Sequence, residues 1–274
     1  VTTGLVVALK LAGVATVVAA ATLLARRHGH RAGGLVGGLP LIAGPVSGVL
    51  LLAEPAAWVR DVAVMTLACL PATLLHAAVF ARLALRRGTV ACLVAANLAF
   101  AVAAALLGWI APPGVLAAVA ALAALVLVRR VLPPRPASAG LTGGQLASPD
   151  PWTDLPLRVG SAVALAGALM ALSDAAPPAV AGWLLALPIT GNVLPAFARA
   201  RHGPEAAIAV VHGFVAGLGA FFGFFATLAA GLSLVTATGA GGTAAALAWG
   251  GGVIAAPAVG WVLARWAART SGRR

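Results

Sequence analysis

The chain has 274 residues, 62% of them hydrophobic and only 9% charged, with a mean hydropathy of +1.04. Soluble domains are about 45–50% apolar and about 25% charged, so this composition leaves too little polar surface to coat a globule, and it excludes disorder. Eighteen Lys+Arg against six Asp+Glu give a formal charge of +12. In a soluble protein that balance would indicate nucleic acid. In a chain this apolar the cations are topogenic and face anionic lipid, so no nucleic-acid partner is expected.

A spanning helix takes about 20 residues, and the apolar runs predict nine, at 4–25, 33–53, 62–84, 89–110, 114–132, 157–173, 179–198, 206–232 and 243–265. The first ends in Arg26-Arg27-His28 with no small-residue cleavage site behind it, so no cleavable signal is expected. Arg26, Arg27 and Arg31 follow span one, and Arg86 and Arg87 follow span three. Arg129, Arg130 and Arg135 close span five, Arg199 and Arg201 span seven, and Arg265, Arg269, Arg273 and Arg274 span nine. The alternate loops are nearly bare of cations. This alternation predicts a cytoplasmic C-terminus and an external N-terminus. The almost exclusive use of Arg as cation, with abundant Ala, Gly and Pro, points to a bacterial inner membrane. The domain reading is 1–132, a membrane repeat plus one extra span, then a cytoplasmic linker at 133–156 and a second membrane repeat at 157–274.

The chain resembles itself at an offset of 148 residues. Leu9-Lys10 meets Leu157-Arg158, Gly34 meets Gly182, and Leu39-Pro40-Leu41 meets Leu187-Pro188-Ile189. Glu54-Pro55-Ala56-Ala57 corresponds, one residue further on, to the run Gly203-Pro204-Glu205-Ala206-Ala207. Five spans precede the second copy, so the copies face opposite ways, and inverted-topology repeats are an architecture of secondary transporters. The segment from Ala181 through Leu187-Pro188-Ile189-Thr190 to His202-Gly203-Pro204-Glu205-Ala206-Ala207 resembles the small GlpM-like bacterial inner-membrane proteins. Those have about four spans, so this chain looks like a two-copy version. The resemblance implies an association with exopolysaccharide (alginate) production and brings no catalytic residues.

Spans two and seven are the unusual ones. Span two carries Pro40 and Gly44-Pro45 with Ser47; span seven carries Pro188, Thr190, Gly191 and Asn192, then Pro195. A mid-helix proline deletes a backbone hydrogen bond and clashes with the preceding turn. Paired breaks at matching positions of two repeats point to a midplane binding site. Plain kinks packed against neighbouring helices are the competing reading. His76 and His212 lie inside spans three and eight, where an ionisable group suggests a proton relay and a neutral interhelical hydrogen bond is the alternative. Asn97 fits an interhelical bond, and Arg60-Asp61 a surface pair. Lys10 is expected to snorkel to the outer interface. Cys69 and Cys92 lack metal-ligand spacing and fit small buried hydrophobes. No metal, cofactor or catalytic constellation is expected, hence no enzyme.

The sequence thus predicts an all-α polytopic membrane protein of about nine transmembrane helices in two inverted repeats, with the lipid bilayer as its first partner. Its expected role is that of a small secondary-transporter-like permease for an unknown small-molecule substrate. The alternative is a non-transporting protein that supports envelope or exopolysaccharide assembly through membrane-protein partners.

Overall fold

The computed structural model describes residues 2–41, 43–110, 112–134 and 177–271, with three residue pairs between 155 and 164. Most of predicted span six and nearly all of the linker lie outside the described residues. Among the described residues the secondary structure is entirely helical: α1 (Thr2–His28), α2 (His30–Gly38), α3 (Ala43–Ala53), α4 (Ala56–Ala84), α5 (Thr89–Ile110), α6 (Gly114–Val131), α7 (Pro178–Ala186), α8 (Ile189–Thr238) and α9 (Gly242–Ser271). The helices α4, α5, α6 and α9, and the α7–α8 stretch, are long and apolar enough to cross a membrane. Leu98, Val102 and Leu106 of α5, Leu116 and Val119 of α6, and Leu247 and Ile254 of α9 lie exposed on the outside of the bundle. In water such a surface would be unstable; against lipid tails it is the expected one. The protein is an integral membrane protein of helical type.

Spans two and seven are interrupted. Proline restricts the residue before it to extended backbone, and Leu39 (φ −72°, ψ 154°) and Leu187 (φ −62°, ψ 127°) both adopt it. Each interruption leaves a nine-residue half-helix on its N-terminal side, α2 and α7. α8 breaks again at Gly203 (φ 85°, ψ −175°), which divides it into a short first arm and a long second arm. Left-handed φ at this turn requires a residue without a Cβ.

The core is built from α4 and the second arm of α8, sheathed by the other helices. Each half-helix lies on one of these two. Gly34 and Gly38 of α2 face Gly213 and Gly217 of α8. The match of Arg31 with Gly213 and of Gly38 with Gly217 makes the two helices parallel. A Cβ on Gly34 would fall on the Val210 carbonyl, and one on Gly213 on the Arg31 carbonyl. Small residues spaced by four let backbones meet this closely. The other half-helix, α7, lies on α4. A Cβ on Gly182 would stand 2.6 Å from Met65 Cβ and 2.7 Å from the Val62 carbonyl.

α4 and the second arm of α8 run antiparallel. At one end Arg60 Nη1 donates to Thr236 Oγ1 (3.3 Å). At the other, Arg82 Nε donates to the Val131 carbonyl (2.6 Å) and His212 Nε2 donates to that of Pro133 (3.0 Å). This second end also joins Arg199 Nη2 to the Arg87 carbonyl (2.9 Å) and Arg129 Nη1 to that of Leu263 (3.1 Å). Residues from the positive loops therefore gather at one end of the bundle, and Arg60-Asp61 marks the other.

The glycine contacts make a direct expectation. Gly34→Ala has to push α2 off α8 and should destabilise the protein by about 1–3 kcal/mol, the cost of overpacking. Gly108→Ala on α5, where a Cβ meets nothing within 4 Å, should be neutral or slightly stabilising. Thermal unfolding in detergent micelles compares the two.

Candidate functional site

The two interruptions meet. Thr190, in the first turn after Pro188, donates from Oγ1 to the carbonyl of Gly37 (2.7 Å), the penultimate residue of α2. A Cβ on Gly37 would reach Leu194 (2.8 Å) and Thr190 (3.4 Å). Gly191 is held between the Phe214 ring and Pro188, each 2.9 Å from where its Cβ would be. At both glycines the neighbouring atoms come from Pro188 and α8.

The C-terminal end of a helix leaves carbonyls without intrahelical donors, and inside a bilayer no water replaces them. Side chains do so here. Thr73 Oγ1 donates to the carbonyl of Ala186, the last residue of α7 (2.7 Å), and Thr66 Oγ1, which donates to Val62 of its own helix (2.8 Å), shares that proton with the Gly182 carbonyl at 3.3 Å. On the other break, the Gly44 carbonyl accepts Trp249 Nε1 (2.9 Å) and Ser47 Oγ (2.7 Å). The Trp249 ring also covers Gly48, at 3.1 Å from the position of a Cβ.

Beside the second break lies a polar cluster drawn from three helices. Asn192 of α8 and Asn97 of α5 form a reciprocal amide pair, with Asn97 Nδ2 to Asn192 Oδ1 at 2.7 Å and Asn192 Nδ2 to Asn97 Oδ1 at 3.1 Å. Asn97 Nδ2 also donates to the Leu93 carbonyl of its own helix (2.8 Å). His76 of α4, fully buried, places Nε2 3.0 Å from Asn192 Oδ1. Its Nδ1 is buried and has no hydrogen-bond partner.

Of the residues expected to form a binding site, Thr190, Gly191, Asn192 and Pro188 are buried together around the second break. Pro40 is half-buried in the first break, and Gly44 and Ser47 are buried in the first turn of α3. Pro45 belongs to α3, and its side chain lies outside the described residues, as does that of Lys10. The two histidines have different partners. His76 belongs to the amide cluster, and His212 is bonded at the arginine-rich end. His30 and His202 sit in helices with their rings 4.9 Å apart. Cys69 and Cys92 are buried free thiols.

Sequence reasoning gave Asn97 an interhelical hydrogen bond and Asn192 a place in the binding site; the structure makes each the other's partner. It also passed over Thr66, Thr73 and Trp249. The available signal was their position as lone hydrogen-bonding side chains in apolar helices, each obliged to find an acceptor across a helix interface. No family model, no curated protein and no solved structure matches this chain.

Removing the hub of the cluster should be expensive. Asn192→Leu strips a partner from both His76 and Asn97 and should cost about 1–3 kcal/mol, the penalty of orphaned buried polar groups. Asn97→Ala should cost less, and the Asn97–Asn192 double-mutant cycle should give a coupling of about 0.6–2 kcal/mol. Chemical unfolding in mixed micelles gives all four values.

Proposed function

We propose that this protein is a small secondary-transporter-like permease of nine spans built from two inverted repeats, with its site where the broken helices meet. The observation that carries the reading is the contact between the breaks, Thr190 against Gly37, beside the buried His76–Asn192–Asn97 cluster. Broken helices meeting near the midplane at a repeat interface are where transporters of this architecture bind substrate.

Several features support the repeat. α2 and α7 have the same length, and their bounds differ by the same 148 residues at both ends. The half-helix of each copy packs on the long helix that follows the break of the other, Gly34 on α8 and Gly182 on α4. Reciprocity extends to the side-chain hydrogen bonds beside the breaks. Asn97 of the first copy reaches Asn192 in the second, and Trp249 of the second reaches Gly44 in the first. Asn192 and Gly44 are themselves 148 residues apart. The antiparallel course of α4 and α8 is what an inverted copy requires.

The gathering of Arg82, Arg87, Arg129 and Arg199 at one end supports placing that end in the cytoplasm, with the N-terminus outside. The bacterial inner membrane and the kinship to GlpM-like proteins belong to the same proposal, as does the absence of a catalytic role. One observation favours the second reading, a non-transporting partner in envelope or exopolysaccharide assembly. The carbonyls of Gly37, Gly44, Gly182 and Ala186 at the two breaks are answered by protein donors, as in a closed scaffold.

Reporter fusions at residues 27, 87, 133 and 201 should be cytoplasmic, and those at 56, 112, 176 and 238 external. The same side for 56 and 201 overturns the inverted repeat. For function, a solute-uptake screen with the reconstituted protein should find a transported class. Pro40→Ala and Pro188→Ala should then reduce the rate more than Pro113→Ala, which changes only the N-cap of α6. Equal rates in all three variants would leave the breaks as packing features and favour the scaffold.

A further inference from the structure

The amide cluster fixes the proton on His76. Asn97 Nδ2 donates to the Leu93 carbonyl, which can only accept, so the orientation of the Asn97 amide is set by its own helix. Its nitrogen then faces Asn192 Oδ1, and its oxygen accepts from Asn192 Nδ2. With both amides oriented, the atom of Asn192 that meets His76 is an oxygen, so His76 Nε2 must be the donor. A neutral imidazole carries one proton, which leaves Nδ1 as a bare acceptor. That atom is the one buried in the bundle without a hydrogen-bond partner, on a side chain with no exposed surface. Leaving an acceptor unanswered at such a site costs free energy that any incoming donor recovers.

The partners in this cluster are two carboxamides, an imidazole and a backbone carbonyl. None bears a formal charge, so an ionic ligand would shed its water there without a counter-ion in reach of the cluster's bonds. We propose that His76 Nδ1 is the recognition atom for a small uncharged solute bearing an N–H or O–H group, of the urea or polyol type. This inference rests on the permease reading and names its substrate class. The Asn192–Asn97 pair acts as the positioning element, holding Nε2 so that Nδ1 faces away from the amides. The step involves no bond making: the solute donates one hydrogen bond to Nδ1 and releases it on leaving.

The test uses the full chain reconstituted in phosphatidylethanolamine–phosphatidylglycerol vesicles. Stopped-flow light scattering follows the entry of urea, glycerol and, as the charged control, formate. The protein should accelerate urea or glycerol and leave formate at the rate of empty vesicles. His76→Gln keeps a donor for Asn192 and an acceptor for the solute and should retain flux. His76→Leu should lose about tenfold or more, equivalent to about 1.4 kcal/mol. A second measurement needs no variant. Nitrogen NMR of histidine-labelled wild-type protein in nanodiscs should show His76 protonated at Nε2, with the Nδ1 resonance moving when urea or glycerol is added. A proton on Nδ1, or His76→Leu flux equal to wild type, overturns the inference. So does acceleration of water alone, which would make the atom's partner a resident water. Flux of formate instead of the neutral solutes overturns it but leaves a permease. Rates equal to empty vesicles for all three, with no NMR response, overturn it too. Only failure across the wider solute screen removes the permease reading as well.

Discussion

A backbone carbonyl in hydrocarbon has to find a donor inside the protein, and this structure is organised around the places where helices cannot supply one. Pro40 and Pro188 force the residues before them into extended backbone, which frees carbonyls at the ends of α2 and α7. The answers come from elsewhere in the chain: Thr190 for Gly37 and Thr73 for Ala186. Each of these bonds crosses from one helix to another. The requirement imposed by a broken helix thereby becomes a rule about which helices must be neighbours.

Close approach is the condition that lets such short side chains reach. Threonine and asparagine can bridge helices only when the backbones are near one another, and the glycine contacts provide that. Gly34 and Gly38 seat α2 against Gly213 and Gly217, and Gly182 seats α7 against Val62 and Met65. With no hydrophobic drive between helices in lipid, packing and hydrogen bonds of this kind hold the bundle together. The large apolar residues divide accordingly. Phe80, Phe100, Phe224 and Phe225 fill the interior, whereas Leu98, Leu106, Leu247 and Ile254 face outward.

The His76–Asn192–Asn97 cluster stands apart from this economy of capping. Its amides form a mutual pair and hold an imidazole, although no broken carbonyl requires them to. Polar groups kept in an apolar interior without a structural debt to settle are the natural place to look for ligand recognition. His212 differs, since its bond to the Pro133 carbonyl ties the start of the long arm to the segment after α6.

Much of this was legible in the amino-acid sequence because hydropathy and proline act locally. A run of apolar residues must be helical in lipid wherever it packs. Thus α5 begins at Thr89 and ends at Ile110, and α6 begins at Gly114, where the apolar runs do. The extended residue before Pro40 and Pro188 follows from the ring's own sterics. Pairings between distant helices were not legible. Asn97 and Asn192 lie 95 residues apart, and His76 and Asn192 116, and nothing in the local pattern of either helix says which face meets which. The interruptions showed the same limit. Proline by itself does not settle where the chain breaks, since α4 carries Pro71 and α8 carries Pro195 without ending there. Composition determined that this chain lives among lipids and roughly where its helices start and stop. Only the tertiary structure decided which carbonyl met which hydroxyl, because a hydrogen bond depends on distances of tenths of an ångström between residues that the sequence leaves far apart.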